Sequence, residues 1–131
     1  MYENGKGVTR DYVRALEWYR PAANKGYAAA QLNVGFYYAE GYGTARDDEQ
    51  AFAWFRKAAN QGNATAQYDL GYAYESGRGV KPDVVEAKQW YRRAASQGHK
   101  DALARLMALQ SAQPLGGMIS FLKRAIGIAS Q

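Results

Sequence analysis

Residues Ala66 to Gly98 read AQYDLGYAYESGRGVKPDVVEAKQWYRRAASQG. Ala66, Leu70 and Tyr74 fall four residues apart with Ala73 beside them, the spacing of an apolar stripe along one helix face. Gly77 and Gly79 then break the helix, because glycine in a helix interior is unfavourable. Asp83 follows where a side-chain oxygen can accept the free amides of a new helix. Ala87, Trp90, Tyr91, Ala94 and Ala95 continue that helix at three- and four-residue spacing, and Gly98 ends it with a left-handed residue. The unit is therefore a helical hairpin over Ala64 to Ser76 and onward, with a longer connection inside it and a short glycine-containing turn after it.

Working outward, the same pattern recurs along the chain. Trp18, Trp54 and Trp90 are separated by 36 residues each time, and a fixed step of this size marks a solenoid of supersecondary units. Tyr2, Tyr38 and Tyr74 keep the phase, as do Gly5, Gly41 and Gly77, Gly7, Gly43 and Gly79, and Asp11, Asp47 and Asp83. Ala15, Ala51 and Ala87, the pairs Ala22-Ala23, Ala58-Ala59 and Ala94-Ala95, and Gly26, Gly62 and Gly98 complete it. Small residues at the recurring Ala positions and at Gly35 and Gly71 let helices approach closely, while Trp18, Trp54 and Trp90 are expected to fill the core between successive hairpins. Gly41, Gly43, Gly77 and Gly79 are expected to be structural turns. One hairpin cannot bury its own stripe, so the units must stack.

The combination L-G-x-x-Y, G-x-G-V, A-x-x-W-Y and A-A-x-x-G resembles the Sel1-like repeat, a relative of the tetratricopeptide repeat, over roughly residues 1–110. The resemblance implies an all-α, right-handed α/α superhelix of 36-residue helix-turn-helix repeats with about seven helices. The expected organisation is a partial repeat over 1–29, repeats over 30–65 and 66–101, and the leading helix of a last partial repeat over 102–110. A linker and a C-terminal amphipathic helix occupy 111–131. Thr44, Pro21 and Met107 depart from the pattern; Met107 stands where the two preceding units have glycine, so the last leading helix is not shaped to receive another unit.

Both ends are irregular. The first unit lacks most of its leading helix, which should leave a face of the Asp11 to Lys25 helix open. At the other end Leu115, Met118, Ile119, Leu122, Ala125, Ile126 and Ala129 make an apolar stripe, widened by Phe121 and Ile128, with Lys123 and Arg124 on the polar side. Its first reading is a cap on the last repeat; docking on another chain is the second, and a membrane-surface role the third. The open N-terminal face and this helix are also the two places where association between copies of the chain is expected.

The chain has 131 residues and a formal net charge of +5. Residues 1–77 carry eight Lys/Arg against nine Asp/Glu, and residues 78–131 nine against three, so the excess sits at the C-terminal end and favours an acidic partner. With no cysteine, neither a disulfide framework nor a thiolate metal site is available, and the redox compartment stays open. The start at Met1 shows no export signal, so the chain as it stands reads as cytoplasmic, or as periplasmic or secreted if a leader was removed. No apolar run is long enough to span a bilayer.

No catalytic residue, metal site or cofactor is expected. His99 is the only histidine and lies in a turn whose sister positions hold Tyr27 and Asn63, without the partner that orients a general base. Asp47, Asp48 and Glu49 read as a helix start, where negative charge suits the dipole. The G-x-G elements lie between helices and lack a following G-K-[ST], so they are turns rather than phosphate cradles. Arg78, Lys81, Lys88, Arg92, Arg93, Lys100 and Arg105 read as a solvated helix face, and no nucleic acid is expected.

Leading helices line the concave side of such solenoids, so partner contacts are expected at Asn33, Phe36, Tyr37 and Glu40, at Asp69, Tyr72 and Ala73, and at Arg105, Ala108 and Leu109. Asn33, Asp69 and Arg105 share one phase and form a polar ladder; Phe36 and Tyr72 share another and form an aromatic one. That mix suits an extended peptide or a protein loop. The expected function is a non-catalytic protein-protein interaction module, an adaptor or scaffold. The resemblance also implies two alternatives: an immunity-type or regulatory inhibitor of a bacterial effector or enzyme, and an envelope hydrolase or β-lactam-binding protein. Truncating Phe36 and Tyr72 to alanine is expected to weaken partner binding and leave the melting temperature nearly unchanged.

Overall fold

The computed structural model describes residues 6–111, which form six helices and, among the described residues, no strand. They are α1 (Lys6–Asn24), α2 (Ala28–Glu40), α3 (Asp48–Asn60), α4 (Ala64–Ser76), α5 (Val84–Ser96) and α6 (Lys100–Ser111). Consecutive helices make the principal contacts, so the chain is a solenoid of antiparallel hairpins in which α2 with α3 and α4 with α5 are the complete units. The expected C-terminal amphipathic helix lies outside the described residues.

Local chemistry explains the boundaries. Asp47 and Asp83 accept hydrogen bonds from the amides of Gln50 at 3.0 Å and Glu86 at 3.1 Å, starting α3 and α5. Asn63 does the same for Ala66 at 2.8 Å. His99, one repeat on, accepts from the Ala102 amide through Nδ1 at 3.1 Å and stacks on Tyr68. The lone histidine is thus a helix cap. Gly41 and Gly77 close α2 and α4 in the left-handed conformation.

The glycines of the longer connections do a second task. A Cβ at Gly43 would come within 2.6 Å of the Tyr12 carbonyl, and one at Gly79 would overlap the Asp48 carbonyl. Each connection therefore seats on the preceding trailing helix, Gly43 on the backbone of α1 at Tyr12 and Gly79 on the start of α3. Inside the hairpins, a Cβ at Gly35 or Gly71 would meet the ring of Phe55 or Tyr91 at 2.8 Å, so these glycines set how closely leading and trailing helices approach. Met107 in α6 occupies the same phase and is exposed.

Successive units are also tied by a polar staple. Gln61 donates through Nε2 to the Gly26 carbonyl and to Gln31 Oε1, both at 2.8 Å. Gln97 donates to the Gly62 carbonyl at 2.8 Å and to Gln67 Oε1 at 2.9 Å. Gln31 and Gln67 are buried, and each donates in turn to a carbonyl of the helix before it, Ala23 or Ala59. Every buried side-chain polar atom among the described residues finds a partner.

The first unit departs from the expected pattern in two respects. Helix α1 begins at Lys6, ahead of Asp11, so Asp11 is not its cap and Gly7 lies within the helix instead of in a turn. Gly7 has no preceding trailing helix among the described residues on which such a turn could seat, whereas Gly43 and Gly79 do. Trp18 is the second correction. It is 80% exposed, whereas Trp90 is 9% exposed and Trp54 is half-buried. Trp54 packs beside Leu16 and Ala23 of the unit before it and Ala30 and Val34 of its own α2, and Trp90 packs with Phe55, Ala58 and Ala59 of the unit before it and Leu70 of its own α4. Each indole packs backward onto the preceding unit, and Trp18 has none to pack on among the described residues.

Candidate functional site

The expected contact positions are distributed over three surroundings. Phe36, Glu40, Asp69, Tyr72 and Ala73 all line one cavity of about 240 Å³ bounded by α2, α3 and α4. Ala73 is itself buried and forms part of the cavity floor, so it contributes shape without open surface. Tyr37 belongs to a cluster of rings with Tyr12, Tyr19, Phe36 and Tyr42, at centroid distances of 5.7 Å, 5.9 Å, 6.2 Å and 6.0 Å. Burial, with Tyr19 and Tyr12 nearby, raises its phenol pKa, so Tyr37 is a packing residue first.

Asn33 is half-buried and does not line the cavity. Arg105 forms an ion pair with Glu75, whose Oε1 also accepts a 2.7 Å hydrogen bond from the Tyr91 hydroxyl. The Tyr91 phenol pKa is driven up by burial and by Glu75. Arg105 thus closes the α4, α5 and α6 junction, and Leu109 packs beside it against the core of that end. Ala108 is exposed.

The cavity includes residues that the leading-helix rule does not reach. Phe52 and Phe55 come from the trailing helix α3, Asp48 from its first turn and Arg78 from the connection after α4; Tyr68, on the leading helix α4, also lines it without being among the expected contacts. Phe36 and Tyr72 stand at its mouth, each 42% exposed, one repeat apart. An aromatic wall at that spacing was legible from phase alone; the contribution of α3 depends on how the hairpin closes.

Its electrostatics are uneven. Asp48 is held by two guanidinium groups, Arg46 at 3.0 Å and Arg78 at 3.1 Å. Arg46 chiefly, with Arg78, holds the Asp48 carboxyl below the usual carboxylate range against the cost of desolvation. Arg78 also donates through the same Nη2 to the Ala39 carbonyl at 3.0 Å. Asp69, by contrast, makes no ion pair among the described residues. Desolvation against the surrounding rings pushes its pKa up from 3.8 to about 7.

Nothing in this arrangement matches a paired acid and base, and no group of three or more His, Asp or Glu among the described residues is placed to hold a metal ion. No described helix is long and apolar enough to cross a membrane. What the site offers is concave aromatic surface with a few fixed polar groups, the composition of a recognition surface.

Comparison with known proteins agrees with the architecture. The Sel1 repeat profile matches residues 1–27, 28–63 and 64–99. A Sel1 repeat protein from Oxalobacter formigenes is 41% identical and superposes with a TM-score of 0.69 over 72% of this chain and 39% of its own. The protective antigen c5321 of uropathogenic Escherichia coli, which displays the same fold, is 45% identical with a TM-score of 0.73, covering 80% of this chain and 22% of its own. Helicobacter pylori cysteine rich protein B is 22% identical and shares the fold, with a TM-score of 0.67 over 71% of this chain and 70% of its own. The chain thus spans well under half of the first two relatives. A comparison with curated proteins gives no match. Sel1 repeats typically serve as protein-interaction modules and non-enzymatic scaffolds. With three consecutive repeats matched over residues 1–99, the chain belongs to the Sel1 repeat family.

Proposed function

We propose that this chain is a non-catalytic adaptor that binds an extended segment of a protein partner along the faces of α2 and α4, with the cavity between α2, α3 and α4 as the anchor point. The observation that carries this reading is the pair Phe36 and Tyr72, large rings left 42% exposed at one repeat spacing over a formed cavity. Rings held in place by a rigid scaffold supply contact area at little entropic cost, which is why aromatic anchors dominate binding hot spots.

Panning a displayed random-peptide library against the full chain tests it. Peptides enriched on the wild type should lose binding on the Phe36→Ala/Tyr72→Ala double variant, which should keep its helical ellipticity. Enriched peptides that bind both proteins equally well would place recognition elsewhere on the chain.

A further inference from the structure

We infer that the anchor cavity takes one basic side chain, a lysine or arginine of the bound segment, with the Asp69 carboxylate as its counter-charge. This rests on the peptide-binding reading above and adds the chemistry of the partner.

Three observations converge on it. First, Asp69 is half-buried among Phe36, Phe52, Phe55, Tyr68 and Tyr72 and has no ionic partner among the described residues. A carboxylate withdrawn from water is normally paired, because desolvating an isolated charge is costly. Second, the lining holds three carboxylates, Glu40, Asp48 and Asp69, of which only Asp48 is ion-paired among the described residues, to Arg46 and, through Nη2, to Arg78. Glu40 and Asp69 thus stand beside the rings with no ion pair among the described residues, although the whole chain carries a net charge of +5. Third, the walls are π faces, which attract an ammonium or guanidinium group and cover its aliphatic stem.

Burial pushes the Asp69 pKa up to about 7, and an incoming cation would draw it to the ionised form. The sister positions do not offer this chemistry, since Asn33 is uncharged and Arg105 is tied to Glu75. The basic side chain therefore fixes the register of the bound segment on the repeat array. The acidic partner suggested by net charge does not suit this cavity, which selects the opposite sign.

The probe is the set of library peptides whose binding depends on Phe36 and Tyr72, with affinity read by fluorescence anisotropy. They should share a lysine or arginine. Replacing it with methionine should weaken binding at least about tenfold, the smallest change expected when a charge-assisted hydrogen bond is lost. Asp69→Asn should weaken the same peptides comparably, and the two changes together should cost little more than either alone. Glu17→Gln, which removes a negative charge on the exposed face of α1 outside the cavity lining, controls for general electrostatics and should leave affinity unchanged. If Asp69→Asn does not fold, the lysine-to-methionine peptides alone decide. Peptides that need Phe36 and Tyr72 but share no basic residue, or ignore Asp69→Asn, would overturn this inference and leave the peptide reading intact. Finding no peptide that depends on Phe36 and Tyr72 would overturn both.

Discussion

Trp18, Trp54 and Trp90 occupy one phase of the repeat, so truncating each to alanine separates the contribution of the motif from that of the packing around it. Trp90 is 9% exposed, and its ring also lies under the Arg93 guanidinium, 4.4 Å from the centroid. A buried aromatic hides about 150–250 Å², which at about 25 cal/mol per Å² is roughly 4–6 kcal/mol before the compactness of the unfolded chain is allowed for. Trp90→Ala should therefore cost about 3–5 kcal/mol. Trp18 is 80% exposed, so about a fifth of that area is at stake and Trp18→Ala should cost less than about 1 kcal/mol. Trp54, half-buried and with Lys57 4.5 Å from its ring centroid, should fall between them. Urea unfolding followed by far-UV ellipticity ranks the three, with the slope checked so that a change in midpoint reports stability. Equal losses at Trp18 and Trp90 would refute the argument, since they would mean that the first indole is as well covered as the third.

Two further outcomes follow from the same geometry. Gly71→Ala places a Cβ 2.8 Å from the Tyr91 ring, and forcing that hairpin apart should cost about 1–3 kcal/mol in urea unfolding; a neutral result would show that the ring yields freely. For Asp69 the folded pKa of about 7 exceeds the ordinary 3.8. The folded state then holds a proton that the unfolded state releases, so wild-type stability falls as pH rises from about 4 through about 7. A full desolvation effect of that size corresponds to about 4 kcal/mol. A half-buried group retains some water, so about 1–2 kcal/mol is expected. Asp69→Asn lacks this loss, so thermal melts across that range should show the variant gaining on the wild type; parallel profiles would mean that Asp69 is well solvated.

The hairpin plan was legible in residues that act within a turn or two of themselves. The stripe through Ala66, Leu70 and Tyr74, the caps at Asp47 and Asp83, and the glycine stops at Gly41 and Gly77 each set a boundary by local hydrogen bonding and backbone preference. Part of the candidate site was legible in the same way. Phe36 and Tyr72 share a phase on leading helices, and that alone puts them on one surface. The polar staple left a trace as well, in Gln31 with Gln67 and Gln61 with Gln97, each pair 36 residues apart.

Tertiary structure decided what lies one repeat away. Identical phase did not give the three tryptophans one environment, because each indole depends on the unit before it and Trp18 has none among the described residues. Nor did phase separate Asp69 from Arg105. Their partners come from other helices, so one is left unpaired in a ring-lined cavity and the other is bound to Glu75. The amino-acid sequence by itself determined the repeat, its hairpins and their ends, since those are settled by spacing and local capping. Burial, pairing and the cavity were set only when helices closed on one another, because desolvation and Coulomb energy depend on neighbours in space rather than along the chain.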